Sequence, residues 1–173
     1  VQPPRLSIGA VPALQKLPDA VQKEIHLEVH GPVLSWHPLF KEMSIADEIF
    51  YQSLCHKAIV EKSVAGGEEV FQVGMRCESF YFVTAGTLNY QFMFQYCETT
   101  PVTAEEWICE AVLWTNWQHN GQLTVNSAHC QIMELRAQDF LEFAEESTQW
   151  MHMQRYARLF VSFALRENRV ATE

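Results

Sequence analysis

The sequence predicts an α+β fold, in which an antiparallel β-roll of jelly-roll type carries a short inserted helix. N-terminal helices and long C-terminal helices flank this roll. Three observations predict it. Up to about residue 58 and again beyond about residue 137, apolar residues recur with the helical period. Between these limits, β-branched and aromatic runs alternate with turn glycines. Inside the strand block, the acidic and apolar run AEEWICEAVLW has the composition of a short helix.

The bulk composition is that of one folded domain. The chain has 173 residues, of which 48% are apolar and 19% are charged. Its net charge of −9 argues against sequence-independent binding to nucleic acid, which depends on Lys and Arg. The same charge argues against docking on anionic lipid. No apolar run approaches the roughly 18 residues that span a bilayer, so no direct membrane insertion is predicted.

The cysteines indicate the compartment. They are odd in number and include no C-x-x-C pair: Cys55, Cys77, Cys97, Cys109 and Cys130. This pattern is typical of reduced thiols in a cytosolic protein.

The N-terminal part of the chain is predicted to be an arm followed by two helices. Residues 1–16 contain three prolines and one glycine without periodicity, which favours a flexible arm. The first helix is expected to have Asp19 as its N-cap, with Gln22 completing a capping box, and to end at Gly31-Pro32. A second helix is predicted near residues 45–58.

The strand block is predicted over about residues 59–135. The alternation in TLNYQFMF places four apolar residues on one face: Leu88, Tyr90, Phe92 and Phe94. Within the block, Pro101 and Thr103 are predicted to cap the inserted helix, with Glu106 at its third position.

Helices are predicted over about residues 137–168. Their apolar residues form two stripes, the first with Phe140, Phe143 and Ala144 and the second with Met153, Tyr156, Phe160 and Phe163. Packing of these stripes against the roll is the favoured interpretation, and a partner-binding surface is the alternative.

Patterns that would indicate catalysis or metal binding are sparse. His26 and His30 have the i, i+4 spacing of metal ligands, but Glu28 lies on another helix face, so an exposed polar face is favoured. The strand block offers only His119 and His129 for a jelly-roll metal enzyme. No P-loop, nucleophile elbow or dinucleotide fingerprint occurs. No catalytic residue and no metal site is therefore predicted.

A family resemblance begins in the run GEEVFQVGMRCESFYFVTAGTL, residues 67–88. Its three glycines, the acid after the first of them, and the strand Tyr81-Phe82-Val83 resemble the first half of a cyclic nucleotide-binding domain. Their spacing matches without a gap. The run from Cys109 to Leu113 then resembles that family's phosphate-binding cassette, which begins Gly-Glu-Leu/Ile-Ala/Cys-Leu.

Upstream, three short matches resemble the C-linker of cyclic nucleotide-gated, hyperpolarisation-activated and ether-à-go-go-type cation channels: Leu17-Pro18, Glu24-Ile25 and Pro38-Leu39-Phe40. The resemblance implies C-linker-like helices over residues 17–37 and a cyclic nucleotide-binding homology domain over residues 38–173. It also implies a cytoplasmic location at the inner face of a membrane. The N-terminal linker would couple the domain to a channel pore, and the parent protein would be a homo-tetramer.

The cassette departs from the family pattern at the positions that bind phosphate. In the family, the glutamate binds the ribose hydroxyl and a later arginine pairs with the cyclic phosphate. Here Cys109 replaces the cassette glycine, and the arginine position falls on His119 or Gly121. Glu110 and Thr124 are retained.

The surrounding sequence offers no substitute cation. Between Arg76 and Arg136 there is no Lys or Arg, so a phosphate would lack its usual charge partner. The pocket that the resemblance implies consists of Cys109, Glu110, Ala111, Val112, His119, Gly121 and Thr124. Cyclic AMP and cyclic GMP are disfavoured as its ligands, and no cofactor is predicted.

These observations predict a non-catalytic regulatory domain of a cation channel, with a potassium channel preferred, that binds cyclic nucleotides weakly or not at all. Ether-à-go-go-type channels supply the precedent by resemblance, because their domains fill the pocket with their own C-terminal residues. Arg166 and Arg169 are the candidates for such a filler. Two alternatives stay open, a cyclic AMP or cyclic GMP sensor of a channel or kinase-regulatory protein, and a partner-binding roll unrelated to channels.

Overall fold

The computed structural model describes residue 8, residues 11–93 and residues 99–170, with side chains described as far as residue 164. It confirms the predicted α+β fold, because two antiparallel sheets form the centre and helices flank them on both sides in sequence. Within the described residues, no helix is both long and apolar enough to cross a membrane.

The helices are α1 (Asp19–Leu34), α2 (Pro38–Ala46), α3 (Glu48–Ser53), α4 (Ala137–Glu146) and α5 (Trp150–Val170). A 3-10 turn, Leu14–Lys16, precedes α1, and a π-helical turn, Leu54–Ala58, follows α3. The inserted helix is a single 3-10 helix, Glu110–Leu113.

The strands are β1 (Ile59–Ala65), β2 (Glu69–Phe71), β3 (Ser79–Ala85), β4 (Thr87–Phe92), β5 (Thr99–Thr103), β6 (Trp107–Ile108), β7 (Gly121–Val125) and β8 (His129–Arg136). They form one sheet in the order β1-β8-β3-β6 and a second in the order β2-β7-β4-β5. The inserted helix therefore follows the edge strand of the first sheet and precedes a central strand of the second.

Strand β3 lies between the two apolar cores of the molecule. Because successive side chains of a strand point to opposite faces, Phe80 and Phe82 belong to the core beneath the helices, while Tyr81 and Val83 belong to the core between the sheets. Phe80 and Phe82 are fully buried, and Phe80 lies 6.2 Å from Phe40 of α2 between ring centroids. Helices and roll thus share one strand as their common wall.

The first helix departs from the prediction at both ends. Its N-cap is Pro18, not Asp19. The side-chain amide of Gln22 donates to the Leu17 carbonyl at 2.8 Å, so the predicted capping box is wrong. The helix also continues through Pro32 to Leu34. Proline so close to the helix end removes little of the hydrogen-bond ladder. The Tyr51 hydroxyl donates to the Gly31 carbonyl at 2.5 Å, which anchors this last turn in the core.

The second predicted helix, near residues 45–58, corresponds to α3 and the π-helical turn, whereas α2 was not predicted. Asp47 separates α2 from α3 with φ −149° and caps α3, since its Oδ1 accepts from the Phe50 amide at 3.0 Å. Its Oδ2 accepts from the Ser147 hydroxyl at 2.6 Å and from the Thr148 amide at 3.0 Å. The break therefore positions a carboxylate that holds the link between α4 and α5.

The inserted helix begins later than predicted, because Pro101 and Thr103 belong to β5. Glu106 Oε2 does accept a hydrogen bond from the Thr103 backbone amide at 2.5 Å, as in a capping box. Glu105, however, has φ 73°, and the chain turns there instead of entering a helix. The predicted cap is therefore wrong, although its local hydrogen bond forms.

The apolar stripes extend beyond the surfaces that cover them. On β4, Leu88 is buried but Phe92 is 36% exposed, and Phe94 lies outside the described residues. In α5, Met153 is fully buried and Phe163 is 65% exposed. Packing against the roll therefore accounts for the start of the C-terminal stripe, and its end lies on the surface.

Two turn glycines can be compared by substitution, Gly86 between β3 and β4 and Gly67 between β1 and β2. Gly86 has φ 88°, and a Cβ there would lie 2.5 Å from the His129 carbonyl oxygen and 2.9 Å from Cys130 Cα. Gly67 has φ 82°, but a Cβ at this position would meet no atom within 4 Å. Both alanine substitutions carry the left-handed penalty of roughly 1–2 kcal/mol, and Gly86→Ala adds an overpacking cost of roughly 1–3 kcal/mol.

We therefore expect Gly86→Ala to lower the free energy of unfolding by clearly more than Gly67→Ala, measured by urea unfolding monitored by circular dichroism. Equal losses for the two variants would contradict the packing assigned to this turn.

Candidate functional site

The inserted helix, Glu110–Leu113, carries the cassette positions, and the residue before it has an unusual conformation. Cys109 has φ 68° and ψ 27°, the left-handed region that glycine enters freely. For a residue with a side chain this conformation costs on the order of 1–2 kcal/mol. The backbone thus stays glycine-like although a cysteine occupies the position, and the side chain needs contacts that hold it there.

Glu110 is bound by the helices of its own chain. Its Oε2 lies 3.1 Å from His37 Nε2, and its Oε1 accepts from the Tyr156 hydroxyl at 2.8 Å and from Trp114 Nε1 at 3.2 Å. The side chain is only 14% exposed. Burial by itself raises the pKa of this carboxyl, but the hydrogen bond and charge of His37, with the bonds from Tyr156 and Trp114, outweigh burial and leave the pKa below its ordinary value. Both carboxylate oxygens are therefore occupied.

His119 lies inside the roll as a neutral ring. Only 4% of it is exposed, and it stacks on Phe71 with ring centroids 3.7 Å apart and an interplanar angle of 9°. Burial lowers the pKa of His119, so the imidazole is uncharged at pH 7. It cannot replace the missing arginine as a cation near neutral pH.

The remaining cassette positions do not converge on a ligand. Ala111 and Val112 lie in the inserted helix, where Val112 packs against both cores. A Cβ on Gly121 would lie 2.5 Å from the Gln91 carbonyl oxygen. Thr124 alternates with Leu123 and Val125, which are buried between the sheets, so its side chain points to the opposite face of β7.

Arg166 and Arg169, the candidates for filling the pocket, lie near the end of the described residues. The backbone of α5 is helical through Val170, but the side chains of Arg166 and Arg169 lie outside the described residues. Filling of the pocket by either arginine stays a prediction.

Sequence reasoning missed a cluster of two thiols and an imidazole, Cys77, Cys109 and His119. The ligand atoms of these three side chains all lie within 4.8 Å of one another, and Cys109 Sγ is 3.7 Å from His119 Nδ1. Cys77 is 3% exposed, and its thiol donates to the Ser79 carbonyl at 3.3 Å. The proximity of the two thiols lowers the pKa of Cys77 and raises that of Cys109, which burial raises further. The three residues come from separate turns, so no spacing signal in the sequence joins them.

A cleft of about 800 Å³ opens beside this cluster. Cys77, Trp117 and residues of the inserted helix line one part of it, and β8 and the start of α4 line the other. Two of the cations around it are paired with acids, Lys62 with Glu134 at 2.8 Å and Arg136 with Asp139. Cys77 is the residue of the cluster that lines this cleft.

Comparisons with known proteins bear on the fold. No known protein family's sequence profile matches the chain, and no curated protein matches it in sequence. Among solved structures, the chain matches the structure of the C-linker/CNBHD of zELK channels with a TM-score of 0.58. The match covers 82% of this chain and 77% of that chain at 18% sequence identity. At this identity the likeness concerns the fold, so the chain has the fold of a C-linker followed by a cyclic nucleotide-binding homology domain.

Proposed function

We propose that the chain is a non-catalytic regulatory domain of a cation channel, with a potassium channel as its preferred parent, and that it binds cyclic nucleotides weakly or not at all. The likeness to the zELK C-linker/CNBHD supports the channel part of this proposal. In it, the N-terminal helices couple to the pore, the parent protein is a homo-tetramer, and the domain lies at the inner face of a membrane.

The main support for weak or absent cyclic nucleotide binding is the set of contacts that Glu110 makes. In the family that the sequence resembles, this glutamate takes the ribose hydroxyl. Here both of its oxygens already accept from, or face, donors: Trp114 at the end of the inserted helix, His37 before α2 and Tyr156 in α5. Each hydrogen bond to a charged group contributes roughly 1.5–3 kcal/mol, so a ribose would have to displace bonds of equal quality.

The absence of a cation adds a second penalty. No Lys or Arg occurs between Arg76 and Arg136, and the imidazole of His119 is buried and neutral. A cyclic phosphate at the inserted helix would lose hydration, and this segment of 59 residues would supply no Lys or Arg to pair with its charge. Loss of a bidentate arginine contact weakens binding by about two powers of ten or more.

The same contacts offer a path for coupling. His37 directly precedes α2, at the end of the C-linker-like segment, and Tyr156 lies in α5. Glu110 therefore joins the N-terminal helices, the inserted helix and the C-terminal helix at one carboxylate. Movement of α5 or of the inserted helix would reach the segment that leads to the pore through this carboxylate.

A cyclic AMP or cyclic GMP sensor is the second candidate function, because the inserted helix keeps its place between β6 and β7. Such a sensor would bind through backbone amides, Glu110, Thr124 and a protonated His119. A roll unrelated to channels is the third. The parent sequence distinguishes this third candidate, since a six-helix transmembrane block upstream of Val1 would favour the channel.

We expect isothermal titration calorimetry of the chain with cyclic AMP and cyclic GMP to detect no micromolar binding at either about pH 6 or about pH 8. The reason is that Glu110 is already bound and that burial lowers the pKa of His119, which makes its protonation less favourable than that of an exposed imidazole. Micromolar binding at both pH values would contradict the proposal. Binding at the lower pH alone, lost in His119→Gln, would support the second candidate function.

We expect Glu110→Gln to lower the free energy of unfolding by about 2 kcal/mol at pH 7, because it replaces a charged acceptor by a neutral amide. Since the folded pKa of Glu110 lies below its ordinary value of 4.5, its contribution is present above that pH and is lost as pH falls through the folded pKa. The difference between wild type and variant should therefore shrink below about pH 4.5. Urea unfolding across this pH range measures it.

The matched control for this experiment is Glu145→Gln, which removes the same charge from an exposed position of α4. It should change the free energy of unfolding by less than about 0.5 kcal/mol at every pH. If Glu110→Gln changed the free energy of unfolding as little as this control does, the Glu110 carboxylate would not hold the helices together.

A further inference from the structure

We propose that Cys77, Cys109 and His119 form a binding site for one Zn²⁺ ion inside the roll. This inference does not depend on the proposed channel function, because it uses only the donor atoms of the cluster and their surroundings. Two thiolates and one imidazole are a donor set that zinc takes in proteins, whereas Mg²⁺ and Ca²⁺ require oxygen ligands.

The distances fit a tetrahedral ion after a small contraction. With Zn–S near 2.3 Å and Zn–N near 2.0–2.1 Å, neighbouring ligand atoms of a tetrahedral site lie roughly 3.5–3.8 Å apart. Cys109 Sγ and His119 Nδ1 are already 3.7 Å apart, and all three ligand atoms lie within 4.8 Å of one another. Changes of at most roughly 1.3 Å would close the site around an ion, and side-chain rotations can supply them.

The backbone holds the three ligands in place. The Cys77 amide donates to the Trp117 carbonyl at 3.0 Å, and the His119 amide donates to the Met75 carbonyl at 2.9 Å. These bonds pair the segment of Cys77 with that of His119. Phe71 fixes the imidazole plane by stacking at 3.7 Å. The left-handed backbone of Cys109 brings its thiol close to Cys77 and His119. Zinc binding would therefore explain why a cysteine is kept in this strained conformation.

Three protein ligands leave one coordination position open. We assign this position to a water and the entry of the ion to the cleft of about 800 Å³ that Cys77 helps to line. Two thiolates balance the charge of Zn²⁺, so the occupied site is neutral. An occupied site would therefore not restore the cation that a cyclic phosphate needs.

Zinc binding is tested on the full chain, reduced and stripped of metal by a chelator, by titration with Zn²⁺ in competition with a chromophoric zinc indicator. We expect one equivalent to bind with an apparent Kd below about 1 μM. Each of Cys77→Ser, Cys109→Ser and His119→Gln should weaken binding by about 100-fold or more. The controls Cys55→Ser and Cys130→Ser alter buried thiols outside the cluster and should leave the affinity unchanged.

A spectroscopic measurement on the wild-type chain covers the case in which a variant fails to fold. Co²⁺ in place of Zn²⁺ should give thiolate-to-cobalt charge-transfer absorption and the intense visible bands of a tetrahedral site, and Zn²⁺ should abolish both. Absence of stoichiometric zinc binding, cobalt spectra without charge transfer, or an unchanged affinity in folded Cys109→Ser would each overturn the proposal. A Cys77–Cys109 disulfide, with no zinc bound after its reduction, would also overturn it. None of these outcomes depends on nucleotide binding.

Discussion

The arrangement of the helices around the roll depends on one buried carboxylate. Glu110 lies where the inserted helix, the start of α2 and the middle of α5 meet, and it faces a donor from each: Trp114, His37 and Tyr156. A buried charge without such partners would cost several kcal/mol, so the three elements must keep their positions for the carboxylate to stay ionised. Segments far apart in sequence are thereby held together, because each supplies only one of the partners that the buried carboxylate needs.

Because Glu110 binds the helices, the inserted helix can keep its position in the fold without offering this carboxylate to a ligand. The inserted helix stays between the sheets and the helices, where Leu113 is buried in the helical core. Its acid, however, faces the helices, and the position opposite is closed by the stacked rings of His119 and Phe71. The outline of a cassette can therefore persist for structural reasons after the groups that recognise an anion have been committed elsewhere.

Particular residues show which features could be predicted from the sequence and which could not. The strand period and the turn at Gly86 are local, so the roll was predictable. Helix ends were not, because Pro32 is tolerated through the contact of Tyr51 with Gly31, which only the folded chain brings together. For the site, the lack of a cation followed from composition alone. The cluster around Cys77 did not, since its three ligands come from separate turns that strand pairing brings together.

The donor groups at the cassette suit a cation better than an anion. The 59 residues between Arg76 and Arg136 contain acids but no Lys or Arg, so this segment offers no fixed cation of its own to a phosphate. The side chain at the position of the cassette glycine is a thiol, and the ring at the candidate arginine position is a neutral imidazole, which is the form that ligates metals. If the chain binds zinc and not cyclic nucleotides, as proposed above, these two residues account for both properties, because neither offers a fixed cation to a phosphate and both offer a ligand to zinc.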